Sequence, residues 1–117
     1  MIQLPHDHGT NTAVLIENAP EHRTFETVSG IFQLISDPTR LKILWLLCHS
    51  EDCVANIAAA IDMSSPAVSH HLRVLKQADL LVSHREGKET HYTLASNPTA
   101  QLVHNIIDDA FDMNCRK

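Results

Sequence analysis

Residues 64–81 read SSPAVSHHLRVLKQADLL, and the way this stretch folds decides the rest of the chain. At about 100° per residue, Val68, Leu72 and Leu75 fall on one narrow arc, which predicts a helix over Ser64–Ala78 with that arc buried. Ser64 or Ser65 suits the N-cap, with Pro66 close behind it. His71 falls at the edge of the buried arc beside Ala78, so it is expected to pack, with a local partner for its nitrogens. Ser69, His70 and Arg73 share the opposite side. A hydroxyl, an imidazole and a guanidinium on one exposed face are groups that bond phosphates and base edges. Neighbouring side chains on a helix diverge too far to chelate one ion, so the two histidines do not read as a metal pair.

Upstream, CVANIAAAID carries Val54, Ile57, Ala58 and Ile61 at helical spacing, and DMSS breaks it. A short helix, a tight turn and a polar-faced second helix make a helix-turn-helix. Downstream the period changes: LVSHR and ETHYTL flank the charged loop EGK, which reads as a β-hairpin around Gly87 with Arg85 and Lys88 near its tip. That hairpin makes the motif winged. Further out, Phe25, Val28, Phe32 and Ile35 form an apolar stripe. SDPTRLKILWLLCHS opens with Asp37 as N-cap and Pro38 at the first position, and its stripe is read as Leu41, Leu44, Trp45 and Cys48. On that stripe Cys48 is expected to be a buried, unreactive thiol. Ser96 or Asn97 with Pro98 starts a last helix whose broad apolar face is Leu102, Val103, Ile106, Ile107, Ala110 and Phe111. His104, Asp108, Asp109 and Asp112 are read as its exposed face, able at most to host an oxygen-rich metal site. The fold class is therefore mainly α with a β-hairpin wing. Residues 1–20, with Pro5, Gly9 and Pro20 as breakers, read as a flexible N-terminal arm, and 21–117 as the winged helix-turn-helix domain.

The chain has 117 residues, enough for one domain, and 44% apolar residues with only 4% aromatics, so its core must be mostly aliphatic. No apolar run approaches a membrane span and no secretory leader is visible, so no membrane partner is expected. Three cysteines without framework spacing point to a reducing compartment, the cytoplasm by default. The net charge of −5 is unevenly spread. Asp7, Glu17, Glu21, Glu26 and Asp37 face the single base Arg23 early in the chain, whereas Arg73, Lys76, Arg85 and Lys88 slightly outweigh the acids between Ser64 and Tyr92. An enzyme is not expected: GxSxG, HExxH and a phosphate-cradling glycine loop are all missing, and three glycines leave little for substrate loops.

DPTRLKILWLL, VANIAAAIDMSSPAVSHHLRVLKQADLL and REGKETHYTL, in this order and at these intervals, resemble the ArsR/SmtB family of bacterial winged-helix repressors over roughly Phe25 to Met113. The resemblance implies a homodimer joined through the first and last helices. It implies binding of near-palindromic double-stranded operator DNA and release when an effector is sensed. On it, Ser64, Ser65, Ser69, His70 and Arg73 face DNA, and Arg85 and Lys88 approach the flanking backbone or minor groove. The residues agree independently, because the last helix has more apolar surface than a small monomer needs.

The family's effector sites do not transfer intact. A CVC pair in the first helix of the motif becomes Cys53 and Ala55. The zinc shell on the last helix, an Asp–x–His pair followed by His–x–x–Glu, maps onto Ser96, Pro98, Asp109 and Asp112. The persulfide-sensing cysteine positions read Trp45 and Asp112, with Cys48 and Cys115 nearby. What remains is the arm's HDH tract: His6 and His8 with Cys53, joined by Asp7 or Asp52, offer a borderline donor set that suits zinc or nickel. The alternatives are a thiol- or persulfide-responsive regulator, a constitutive regulator of the same fold, and a winged-helix protein-interaction module.

Overall fold

The computed structural model describes residues 2–112. Met113 and Cys115 lie outside the described residues. The chain divides into two compact units, residues 1–33 and 34–117.

The first unit holds α1 (Thr12–Glu17) and most of α2 (His22–Ile35). Helix α1 lies inside the stretch expected to be an arm, and none of its residues is buried. The Ile2 amide donates to the Glu17 carboxylate at 3.3 Å, closing the leading strand of chain onto that helix. Along α2, Phe25, Val28 and Phe32 keep the expected helical spacing, yet Phe25 is 52% and Phe32 51% exposed. The stripe is thus real, buried at Ile35 and exposed at Phe25, Val28 and Phe32.

The second unit begins where α2 ends and contains α3 (Pro38–Leu47), β1 (Asp52–Cys53), α4 (Val54–Ala60), α5 (Ser65–Gln77), β2 (Leu81–Glu86), β3 (Glu89–Leu94) and α6 (Pro98–Ala110). Three of its helices start as the sequence predicts. The Asp37 carboxylate accepts from the Arg40 amide, Ser64 Oγ from Ala67 and Asn97 Oδ1 from Ala100, each with a proline just inside the helix. Helix α5 packs on α3, α4 and β2. The core is Ile43, Leu44 and Leu47 from α3, Ile57 from α4, Val68, Leu72 and Leu75 from α5, Leu80 and Leu81, and Val103 and Ile107 from α6. It is aliphatic, as the scarcity of aromatics requires.

Two faces differ from expectation. Helix α3 is apolar nearly all round, so spacing alone cannot pick its inner side. Ile43, Leu44 and Leu47 are buried, while Trp45 is 40% exposed and Cys48 only half-buried. On α6 the inner side runs through Ala100, Val103, Ile107 and Asp108, leaving Leu102 and Phe111 exposed. Asp108, expected to be solvated, is 1% exposed. It lies one helical turn beyond half-buried His104, and the pair share the edge of the buried face, Nε2 to Oδ1 at 3.5 Å.

The wing is larger than a hairpin. β1, β3 and β2 form a three-stranded antiparallel sheet in that order, with Asp52 opposite Tyr92 and Cys53 opposite His91. β2 and β3 pair in full register from Leu81 opposite Leu94 to Glu86 opposite Glu89. The connecting loop is Gly87–Lys88, and Gly87 at φ +62 takes the left-handed backbone that such a two-residue turn demands. The two helices of the motif end alike. Asp62 (φ 57) follows α4 and Asp79 (φ 62) follows α5. In each case the next amide reaches back, Met63 to the Ala58 carbonyl and Leu80 to the Leu75 carbonyl, both at 3.0 Å. This is the Schellman closure, with aspartate where glycine is usual. The Asp79 carbonyl also accepts from Asn97 Nδ2 at 2.8 Å, which pins the end of α5 to the start of α6.

Candidate nucleic-acid interface

Because Val68, Leu72 and Leu75 anchor α5 in the core, its other side is held outward. His70 and Arg73 are exposed on that side, Ser64 and Ser65 are exposed at its N-terminus, and Ser69 is half-buried. Ser64 is already engaged as the cap, so only its remaining lone pair and hydroxyl proton are open to a ligand. His71 sits half-buried as expected, but its Nδ1 is buried with no hydrogen-bond partner among the described residues. Asp37 lies within electrostatic reach of it. The Arg40 amide holds that carboxyl below its usual range, with smaller help from the Arg40 and His71 charges.

The wing stands beside the helix. Lys76 of α5 donates to Ser83 Oγ of β2 at 2.6 Å, so this cation ties helix to sheet. Arg85 is exposed but folded onto its own hairpin, donating to Thr90 Oγ1 at 3.3 Å and to the Gly87 carbonyl at 3.5 Å. Lys88, at the tip, lines one groove of about 350 Å³ with Ser65, Cys53 and Thr90. The structure therefore brings Ser65, Lys88 and Cys53 together, a grouping that spacing in sequence does not show.

Sequence reasoning counted the acids of the wing but missed their pairing with its histidines. His84 Nε2 lies 3.5 Å from Glu51 and 3.6 Å from Glu86, and His91 Nε2 lies 3.3 Å from Glu86 and 3.2 Å from Glu89. The two imidazoles stack at 5.6 Å. Glu86 and Glu89 stay exposed on either side of the Gly87–Lys88 turn, so the wing tip carries acids as well as Arg85 and Lys88. The alternation of histidine with acid across strands was the available signal, legible only once the register is known.

The residues assigned to an arm metal site are distributed between units. His6 and His8 stack at 5.7 Å in the first. Cys53 is in the second, 5% exposed, opening α4 as its N-cap. Its neighbour Asp52 carries a lowered pKa because the Cys53 amide and then Asn56 donate to its carboxylate.

Helix, tight turn, core-anchored second helix and paired wing are all in place between Asp37 and Leu94, and residues 37–83 match the family described as "Bacterial regulatory protein, arsR family". The transcriptional repressor SdpR of Bacillus subtilis is 43% identical over 67 residues, 57% of this chain and 74% of that one. The chain belongs to the ArsR family. The arsenical resistance operon repressor of Escherichia coli is 38% identical over 82 residues, 69% of each chain. Among solved structures, the homodimeric winged helix-turn-helix DNA-binding domain Mb0332 of Mycobacterium bovis superposes with a TM-score of 0.66 at 27% identity, covering 84% of this chain and 93% of that one. As an ArsR-family chain it is a transcriptional regulator rather than an enzyme. No helix among the described residues is long and apolar enough to cross a membrane.

Proposed function

We propose that this protein is a homodimeric repressor that seats α5 in successive major grooves of a near-palindromic operator and lets go when an effector binds. The observation that carries the reading is the outward face of a core-anchored α5, with His70 and Arg73 free to meet base edges and Ser64, Ser65 and Ser69 at the phosphates. Arg85 and Lys88 of the wing steady the complex on the flanking backbone. A second copy covers the apolar residues Phe25, Val28 and Phe32 of α2 and Leu102 and Phe111 of α6, which are too many for an isolated surface. That the Mycobacterium bovis domain is homodimeric supports a dimer, without bearing on which helices join it.

The effector is a metal ion or another inducer. The arm reading gives zinc or nickel to His6, His8 and Cys53, on the borderline donor set that these side chains offer. Titration of wild type and Cys53→Ser with both metals decides it: equal affinity removes Cys53 from the site.

The experiment for the whole reading is fluorescence anisotropy on DNA from upstream of the chain's own gene, across a salt series. A repressor of this design binds with an affinity that falls steeply with salt. Binding insensitive to salt, or none, would favour a winged-helix module that docks on protein.

A further inference from the structure

We propose that His49, His104 and Asp108 form a binding site for a divalent cation of the zinc class. One ligand atom from each lies within 4.8 Å of the others. His104 Nε2 and Asp108 Oδ1 are already 3.5 Å apart. That is close to the separation of about 3.3 Å between neighbouring donors around a tetrahedral ion bound at about 2.0–2.1 Å. His49 stands two residues past α3, its ring edge-on to His104 with centroids 5.9 Å apart, and a small turn of this exposed ring completes the approach.

Four features favour an ion over a mere local ion pair. His49 Nδ1 is 2.9 Å from the Trp45 carbonyl. A carbonyl only accepts, so Nδ1 carries the proton and Nε2 presents its lone pair, which is how outer partners set a metal-binding histidine. Asp108 is 1% exposed, so its carboxylate already stands out of solvent beside His104, where an ion need not strip it of water. The last carbonyls of α3 add a partial negative charge next to the site. His104 also lines an open cleft of about 470 Å³ with Cys48, Asn97 and Gln101, giving an ion and a fourth, water ligand a way in. Two imidazoles and one carboxylate with an open position form a borderline donor set suited to zinc, cobalt or nickel. No ArsR-family effector position mapped above coincides with these three residues.

Trp45 is the only tryptophan in the chain, and its ring is 6.3 Å from that of His49. Titrating the full chain with zinc sulfate, and separately with cobalt chloride, while following Trp45 emission and the visible cobalt bands, therefore reports on this site. Wild type is expected to show a saturable change in Trp45 emission as this site fills. His49→Gln and His104→Gln should each weaken uptake by more than about tenfold, a scale that even outer-shell partners reach. Both should keep the wild-type circular dichroism, and Glu86→Gln on the wing should bind as wild type does. No emission change in wild type, or wild-type affinity in either histidine variant, overturns the assignment. The titration uses no DNA, so its failure and a failure of the operator reading are separate results.

Discussion

Arg73 and His71 sit two positions apart on α5 and have opposite fates, one in solvent and one against the body of the unit. This divergence was legible in the sequence because Val68, Leu72 and Leu75 define the inner arc without ambiguity. Arg73→Ala should weaken operator binding by about tenfold or more, the usual worth of a charged hydrogen bond, and leave the dimer intact in sedimentation. Should Arg73 meet a phosphate rather than a base, the same variant lowers the salt slope by about 1. Acid sensitivity belongs to Asp37 and Asp52. Both have folded pKa values below the ordinary carboxylate range, because backbone amides donate to the charged form. Their contribution to stability is complete above about pH 4 and is lost as the pH falls through the lowered values. Thermal melts of Asp37→Asn should therefore vary less with pH below about 4 than wild type, while an unchanged acid limb would assign the loss elsewhere. Asp108 was not legible at this scale. A carboxylate beside other acids reads as solvated, and only the packing of α6 turns it inward.

Helix starts were legible and helix faces only partly so. A capping side chain followed by proline is a local signal that needs no tertiary knowledge, and Asp37, Ser64 and Asn97 all act as expected. The inner side of α3 is a tertiary choice among many apolar residues, and β1 is two residues long, too short to show any period. Asn97 holds two elements at once, capping α6 and bonding the Asp79 carbonyl. Asn97→Ala should cost about 1–2 kcal/mol in urea unfolding, at the upper end for a cap. The helix ends carried no glycine to announce them. Asp62 and Asp79 hold left-handed backbone that glycine adopts without strain, so Asp79→Gly should raise stability by up to about 1 kcal/mol. A loss on that substitution would mean the aspartate side chain does more than occupy the turn.

Across the whole chain, the apolar residues of α2 and α6 and the layout of charge set the behaviour. Phe32→Arg should turn a sedimenting dimer into monomer and reduce operator binding with it, whereas a persistent dimer would move the interface away from α2. The apolar stripe was plain in the sequence, but whether a neighbouring element or a second copy covers it could only be asked once its exposure was known. Charge was the less obvious quantity. The net charge is −5, with Asp7, Glu17, Glu21, Glu26 and Asp37 set against the single early base Arg23, and Glu86 and Glu89 flanking the wing turn. Few cations are left to grip arbitrary phosphates. Within a chromosome, where random sites outnumber operators by about a million to one or more, such a molecule spends little time parked at wrong addresses. On the proposed operator reading, a small number of copies then suffices to keep that site occupied. Once released, a copy is lost to bulk solution rather than to the adjacent helix, which makes the switch quick to open.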